Sequence, residues 1–372
     1  MTESTITITK EKQASLNPKL ISREEYRAVL RKHLLNEHFK ADYKHLISYA
    51  ISMFVLVSGI FFITHSNILI LKVFISFLMG IALTTLTFFL HDLCHGSVVK
   101  SGKLQYIFGL TVGIFNLFPT LFWKRVHNYH HARTGNIDDP DRSYIFSEKP
   151  KNFIERISYR TRLTKEAYNK ILSLLFMSFG FFFYFSNNLI GTFFPKLKDK
   201  EDGKFSNVYK LFKARDKVIV FSEIVIIILF QSFLFLEVAK ANMITYMLIS
   251  LIPIAVAHFT AMLYIHTNHF LSPLTGEVDD PLLNSLSLKN PKFIDTIFLN
   301  FSHHVEHHLF PYMSPAHYPK VRELLIKFYP ERFKLIPMKD AIKLLMTTPR
   351  IYKDFTHLVT VDEKIVMDCP CK

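Results

Sequence analysis

The chain of 372 residues contains little cysteine, little glycine and comparatively little acid. Three cysteines, Cys94, Cys369 and Cys371, are too few for a disulfide-stapled secreted domain. Only 11 glycines argue against Gly-rich phosphate loops, collagen and flexible linker proteins. The 31 Asp and Glu are outnumbered by 45 Lys and Arg, which leaves a net charge of +14. The absences therefore exclude several classes of protein, and the excess of positive charge needs an explanation.

Apolar residues make up 49% of the chain, 37 of them Phe, and they occur in long uncharged runs. A membrane-spanning helix needs about 20 such residues. Four runs qualify as crossings and form two hairpins: 46–64, 68–90, 218–238 and 243–265. The first 45 residues show no removable signal peptide. Instead Ser22 and Glu25 form a capping-box pattern, which predicts a charged, interfacial helix reaching to about His45.

The basic loops predict the orientation in the membrane. Segment 124–170 carries 11 Lys and Arg and segment 196–217 carries 8, whereas the link 239–242 carries only Lys240. The positive-inside rule places both long segments and the N-terminus in the cytoplasm. The apolar stretches 105–123 and 171–194 then begin and end on one side, so they are expected to dip into or lie along the cytoplasmic leaflet. The alternative of six crossings would place the 11 charges of 124–170 outside.

The predicted fold is an all-α integral membrane protein with four transmembrane helices, interfacial helices and a cytoplasmic cap. Its expected parts are an N-terminal interfacial segment 1–45, a membrane domain 46–325 and a cytoplasmic C-terminal segment 326–372. Both termini are expected on the cytoplasmic side.

Histidine spacing is the most informative pattern in the 18 histidines of the chain. Three clusters occur, with the sequences HDLCH (91–95), HNYHH (127–131) and HVEHH (304–308). On a helix, positions i, i+3 and i+4 share a face, so each cluster can direct its imidazoles at one point. The eight imidazoles are those of His91, His95, His127, His130, His131, His304, His307 and His308. This number is twice what one tetrahedral ion takes, which indicates two metal ions.

Two further candidate ligands are His266 and His269, in the sequence HTNH at the end of the fourth predicted crossing. A ligating imidazole also needs an acceptor for its second nitrogen. The acceptors that lie within the motifs are Asp92, Asn128, Asp138, Asp139, Asp141 and Glu306. Each of these can equally be a solvated loop residue.

These clusters, in this order, resemble the three histidine boxes of the membrane fatty acid desaturase and hydroxylase superfamily. The resemblance covers roughly residues 45–325, and the strings HNYHHARTGNIDDPD and HHVEHHLFPYMSP are most similar to acyl-lipid and acyl-CoA desaturases. It implies a non-haem di-iron centre that activates O2 and removes hydrogen from an unactivated methylene. It also implies that the eight box histidines bind the irons, with His269, or else His266, as the ninth ligand.

The chain has neither the His-Pro-Gly-Gly string of a fused cytochrome b5 nor a ferredoxin-like cysteine cluster. The expected electron donor is therefore a separate protein of the ferredoxin, cytochrome b5 or flavodoxin type. The expected substrate is an acyl lipid or an acyl thioester, the expected surroundings are membrane lipids, and no nucleic acid is expected. The CxC pair at 369–371 is interpreted as incidental to metal binding.

Other residues have two interpretations each. Trp123 is either an interfacial anchor or a wall of an acyl tunnel, and His258 is a possible cavity-lining residue about 16 Å deeper than His269. Glu223, inside a predicted crossing, indicates function or a paired contact. The competing functions are a lipid hydroxylase or carotenoid ketolase with the same chemistry and, more remotely, a metal transporter. No HExxH string is present, which disfavours a zinc hydrolase.

Overall fold

The computed structural model describes residues 19–136, 139–142, 149–151, 153–194 and 207–371, which are mostly helical. Its helices are α1 (Arg23–Leu30), α2 (His45–His65), α3 (Leu69–Cys94), α4 (Gly102–Asn116), α5 (Thr120–Arg133), α6 (Phe153–Arg160), α7 (Lys170–Phe193), α8 (Ala214–Val238), α9 (Met243–His269), α10 (Pro281–Asn284), α11 (Lys292–Ile297), α12 (His304–Leu309), α13 (Tyr318–Phe328) and α14 (Met338–Thr347). Helices α8 and α9 include π-helical turns at Leu234–Val238 and Met247–Leu251. Short 3-10 turns lie at Arg31–His33, Asn36–Phe39, Pro140–Arg142, Asn207–Leu211 and Pro315–His317.

The four predicted crossings correspond to α2, α3, α8 and α9, each of which is long and apolar enough to span a bilayer. Helix α7, predicted to be interfacial, meets the same criteria, so five described helices have the length and composition of a span. The chain is therefore a multi-pass membrane protein. The arrangement with exactly four crossings stays a prediction.

The stretch 105–123 is divided between two helices, because the chain bends by 100° between α4 and α5. At the bend Leu117 adopts a left-handed conformation with φ of 61°, and Pro119 is the N-cap residue of the next helix. Gly113 permits this bend, since a Cβ at that position would lie 2.6 Å from the carbonyl oxygen of Phe118. A pair of helices bent this sharply fits either a broken span, which would be a sixth, or a segment that enters the membrane region and turns back.

Helices α3 and α9 form the centre of the bundle. They pack against each other. Over an apolar stretch of 18 residues in each helix, 67% of the residues of α3 and 56% of those of α9 are buried, compared with 22% in α2 and 28% in α8. Helix α2 packs on the outer side of α3, and α7 packs against α9. Many large apolar side chains of α2 and α8 are exposed, as expected for surfaces that face lipid. At their C-terminal ends the two central helices carry His91 and His269.

Helix α1 packs against segments that follow α9, next to the third histidine box. Their shared core joins α1 to α12 and α13 through Tyr26, Leu30, Val305, Leu309 and Val321. Strand β1 (Ser287–Lys289) pairs in parallel with β2 (Leu335–Pro337), with Ser287 opposite Leu335. Strands β3 (Ile351–Tyr352), β4 (His357–Val359) and β5 (Val366–Asp368) form an antiparallel sheet.

The capping box at the start of α1 is confirmed, since the side chains of Ser22 and Glu25 each bind the other's backbone N–H. The predicted length of this helix is wrong, because α1 ends at Leu30 rather than near His45. After it the chain tightens into a 3-10 turn and Leu34 is extended, with its carbonyl accepting a hydrogen bond from the Arg31 guanidinium. A side-chain donor to this carbonyl takes the place of the next helical turn.

Candidate metal centre

Four helices bring the predicted ligands together at one end of the bundle. His91 lies in the last turn of α3 and His95 follows it, while α5 carries all three histidines of the second box. The short helix α12 carries the three of the third box, and His269 is the last residue of α9. The i, i+3 and i+4 spacing places the three imidazoles of α5, and those of α12, on one face of each helix. The expectation that each cluster converges on one point is wrong for these two boxes, because each divides its imidazoles between two points.

The imidazoles form two separate groups, and within each group the potential ligand atoms lie within 4.8 Å of one another. The first group contains five buried histidines: His91, His95, His127, His131 and His307. The second group contains four buried histidines: His130, His269, His304 and His308. These nine are the eight box histidines and the ninth expected at His269. His266 lies in neither group and its ring stacks on that of Phe270.

The nitrogens within each group approach closely. In the first group, His127 Nε2 lies 3.0 Å from His95 Nε2 and 3.1 Å from His131 Nε2. In the second group, His304 Nε2 lies 2.7 Å from His269 Nε2 and 3.1 Å from His308 Nε2. A ring nitrogen carries either a hydrogen or a lone pair, so it cannot form linear hydrogen bonds to two such neighbours. Converging lone pairs around a cation satisfy all of them at once.

His91 Nε2 provides a second test of whether the residues fit a metal. This atom is buried and has no hydrogen-bond partner among the described residues, whereas His91 Nδ1 lies 2.9 Å from Asp92 Oδ1. A buried polar atom without a partner is costly, and a metal ion removes the cost. The donor set of neutral imidazoles suits iron, zinc, copper or nickel. The site therefore fits two metal ions of this class.

The second nitrogens of several imidazoles are held by acceptors or hydroxyl groups. His130 Nδ1 lies 2.7 Å from Asp139 Oδ1 and 3.6 Å from Asp141 Oδ2. Together with the Asp92 contact, this places three of the predicted acidic residues beside imidazoles of the two groups. Such contacts favour the tautomer in which Nε2 has its lone pair free for a metal ion.

Two partners were not predicted from the sequence. The hydroxyl group of Tyr318 lies 2.9 Å from His307 Nδ1, and Thr134 Oγ1 lies 3.4 Å from His308 Nδ1. Tyr318 is the first residue of α13, after the third box. Thr134 comes after the second box in the sequence but contacts a histidine of the third. Only the packing of α5 and α13 around α12 creates these pairs. No spacing within a single motif could have indicated them.

Two predicted partners lie elsewhere, and the position of a third is not described. Glu306 is fully buried but forms an ion pair with Arg322 at 2.6 Å and accepts a hydrogen bond from Ser287. Asn128 is exposed on α5, and Asp138 lies outside the described residues. The Glu306–Arg322 pair thus joins α12 to α13. It lies on the other face of α12 from the three imidazoles, because Glu306 is two residues after His304.

Burial keeps the imidazoles of the third box neutral. The pKa values of His304, His307 and His308 lie well below the ordinary value of 6.5, chiefly because burial disfavours the charged form and secondarily because neighbouring imidazoles repel a positive charge. Neutral imidazole is the form that binds metals. The electrostatics of the apoprotein therefore already favour metal binding at neutral pH.

A narrow cavity adjoins both histidine groups and is otherwise mainly apolar. Trp123 forms part of its wall and stacks on His127, with ring centroids 4.7 Å apart and planes 5° apart. The remaining lining is supplied by Thr87, Phe88, His91, His127, His130, Asp141, Phe181, Tyr184, Ala261, Met262, Ile265, His269, Phe301 and His304. A second, apolar cavity lies beyond Phe181, which lines both, and His258 belongs to this second cavity.

Comparison with known proteins places these features in a family. The family model "Fatty acid desaturase" matches residues 68–338, which include every histidine of both groups. A fatty acid desaturase of Bacillus subtilis is 30% identical over 102 residues, which are 25% of this chain and 29% of that protein. A Delta(12) fatty acid desaturase of Calendula officinalis is 24% identical over 257 residues, which are 66% of this chain and 64% of that protein.

An endoplasmic reticulum omega-6 fatty acid desaturase of Glycine max is 22% identical over 247 residues, which are 64% of this chain and 61% of that protein. The chain thus spans less than two thirds of the length of each of these relatives. The family match, however, covers well over half of the present chain and contains all three histidine boxes. This chain belongs to the fatty acid desaturase family, whose members are oxidoreductases of the membrane.

Proposed function

We propose that the protein is a membrane fatty acid desaturase that introduces a C=C double bond into a long acyl chain. The observation that carries this proposal is the set of nine buried histidines in groups of five and four beside an apolar cavity. We further propose that each group holds one iron ion. The overall reaction converts a CH2–CH2 pair, O2, two electrons and two protons into CH=CH and two waters.

The bound irons would supply the activation of O2 and the oxidation of the two methylene groups. The protein's own contribution is to position the acyl chain and to keep water away. A methylene has no polar group to recognise, so the chain must be held by shape and by apolar contact. Phe88, Phe181, Met262 and Phe301 provide such surfaces around the histidines. Phe88, Phe181 and Met262 are buried, and such apolar walls also exclude water, which would otherwise compete for the oxidant.

Asp92 and Asp139 act on the imidazoles rather than on the substrate. Each accepts the Nδ1 hydrogen of one ligand, His91 or His130, and thereby orients that ring and holds its Nε2 lone pair towards the metal. The carboxylates also offset part of the positive charge that two metals bring into a buried site. Tyr318 provides the same orientation for His307 through its hydroxyl group.

Two electrons must come from outside, and we propose a separate donor of the ferredoxin, cytochrome b5 or flavodoxin type. The positive-inside rule supports a location of the histidine end and both termini on the cytoplasmic side, where such donors are found. The substrate we propose is the acyl chain of a lipid or thioester in the adjoining leaflet.

Expression in a bacterial host, followed by gas chromatography–mass spectrometry of total fatty acids, tests the proposal. We expect a new unsaturated fatty acid in cells with the wild-type protein and none with His307→Ala. A matched control is His65→Ala, since His65 is exposed at the end of α2 and forms only local hydrogen bonds. This control should give the wild-type product. A hydroxylated product instead would reassign the protein to the oxygen-inserting chemistry, and purified protein without bound iron would refute the metal assignment.

A further inference from the structure

The break between α4 and α5 exposes backbone groups in the apolar part of the molecule. The last carbonyls of α4 and the first N–H groups of α5 have no partners within their own helices. In a membrane such groups must be satisfied by the protein, because lipid offers no hydrogen bonds. The side chains that satisfy them come from α8 and α9.

At the end of α4, two side chains donate to freed carbonyls. His258 Nε2 on α9 lies 3.0 Å from the carbonyl oxygen of Asn116, and this contact requires the hydrogen of His258 to be on Nε2. Gln231 Nε2 on α8 donates to the carbonyl oxygen of Ile114 at 3.2 Å. The Oε1 atom of Gln231 is in turn held by the hydroxyl groups of Tyr246 and Ser250.

At the start of α5, the partner is an acid. Glu223 on α8 is 0% exposed, and its Oε2 accepts a hydrogen bond from the backbone N–H of Leu121 at 3.1 Å. Pro119, which precedes α5, provides no side-chain cap. Glu223 therefore supplies from another helix the cap that this helix lacks, at the end where the helix dipole favours an acidic group.

These contacts lie close to the second histidine box. Leu121 is about one and two-thirds turns before His127, so a shift at the start of α5 would move all three imidazoles of that box. His258 lies on the same helix as His269, so its bond to Asn116 links the break to the helix that supplies the ninth histidine. The bend itself, Leu117 to Pro119, forms part of the wall of the second cavity together with His258.

We propose that Glu223 and His258 are positioning residues that brace the broken helix and thereby hold the second histidine box in place for metal binding. This proposal rests on the proposed di-iron function but makes its own prediction about the backbone at the break. It explains why two ionisable side chains occur within apolar helices. Neither side chain belongs to the two histidine groups.

The test compares substitutions that remove the hydrogen bond with substitutions that keep it. Glu223→Leu and His258→Phe remove it, whereas Glu223→Gln keeps an acceptor and His258→Gln keeps a donor. Ser222→Leu is a matched control, because Ser222 neighbours Glu223 on α8, is exposed and bonds only within its own helix. Purified proteins are compared by iron per chain, by the Mössbauer spectrum of 57Fe-loaded samples and by hydrogen–deuterium exchange of peptides covering 117–124.

We expect Glu223→Leu to weaken iron retention by about 10-fold, as seen when residues that orient ligands are removed. We also expect exchange at the start of α5 to be about 10-fold faster, because the Leu121 N–H loses its acceptor. Glu223→Gln should restore both properties, and Ser222→Leu should match the wild type. His258→Phe should broaden the Mössbauer spectrum, and His258→Gln should largely restore it.

Two results would overturn the brace. The first is that Glu223→Leu and His258→Phe match the wild-type protein in hydrogen–deuterium exchange and in iron content. The second is that neither Glu223→Gln nor His258→Gln restores the properties that the first two substitutions change. The exchange measurement is made on metal-free protein as well. It therefore reports on the brace even if the wild-type protein binds no iron, a result that would instead refute the proposed function.

Discussion

The two histidine groups differ in the number of imidazoles and in where those imidazoles come from. The group of five draws on α3, α5 and α12, whereas the group of four draws on α5, α9 and α12. Three members of the smaller group, His130, His269 and His304, also line the cavity, compared with His91 and His127 of the larger. The smaller group is therefore the one more open to the cavity, with three of its four imidazoles in the wall compared with two of five in the larger group.

The largest expected effect is from removing a ligand of the larger group. His307→Ala deletes an imidazole that is in contact with His131 and is held by Tyr318, so we expect loss of one metal and of all detectable product. Iron per chain, measured by plasma mass spectrometry, should fall from two towards one or below. Retention of two irons with full product formation would show that the five histidines do not act as one site.

The smaller group is tested by a matched pair on α9. His269→Ala should remove one iron and abolish the product, because His269 lies 2.7 Å from His304 in that group. His266→Ala should keep two irons, because His266 lies outside both groups although it is on the same helix and also buried. If His266→Ala loses an iron and His269→Ala keeps two, the ninth ligand is His266 and the proposed composition of the smaller group is wrong.

A smaller effect is expected from the acidic partners, one in each group. Asp92→Asn and Asp139→Asn should each weaken iron binding by about 10- to 100-fold while leaving the fold intact. Titration of the metal-free protein with ferrous iron measures both affinities. If Asp139→Asn affects only one of two resolved binding steps and Asp92→Asn the other, the two groups bind independently. Unchanged affinities in both variants would contradict the role of these carboxylates.

The smallest effect is expected at the C-terminal cysteines, which belong to neither histidine group. Cys371→Ser should leave the iron content unchanged. Burial raises the pKa of the Cys371 thiol from 9.0 to about 12, so the fold favours the protonated thiol. The resulting stabilisation is complete below pH 9 and is lost as the pH rises towards 12.

Melting temperatures measured from pH 7 to pH 11 test this expectation. The wild type should lose more stability above pH 9 than Cys371→Ser does, and its thiol should react slowly with iodoacetamide at pH 8 until the protein is denatured. Rapid alkylation of the folded protein would contradict the burial of Cys371. A change in iron content on substitution would give the CxC pair a role in metal binding.

Much of the helical framework follows from local sequence. The runs that become α2, α3, α8 and α9 are apolar over about 20 residues, and such runs can satisfy their backbone only as helices in lipid. The capping box of α1 is likewise a contact over three residues. The end of α1, by contrast, depends on Arg31 reaching the carbonyl of Leu34, and composition alone gave a helix that was too long.

The candidate ligands were also predictable, because i, i+3 and i+4 spacing makes imidazoles share a helix face whatever surrounds the helix. The choice between His269 and His266 was not predictable from spacing, since both end the same helix. Packing of α9 against α12 brings His269 to His304, while the ring of His266 turns to Phe270. Similarly, Glu306 stands in the third box but pairs with Arg322, a residue that only the fold brings near.

The sequence by itself determined four of the five span-length helices among the described residues and the identity of the eight box histidines, because both depend on periodicity and on interactions within about one helical turn. The tertiary structure decided how these eight divide into five and three, that His269 completes the smaller group, and which groups hold their second nitrogens. It also decided the hydrogen-bond partners of Glu223 and His258, which lie 102 and 142 residues away along the chain. Contacts of that kind are set by the packing of whole helices, and no local pattern encodes them.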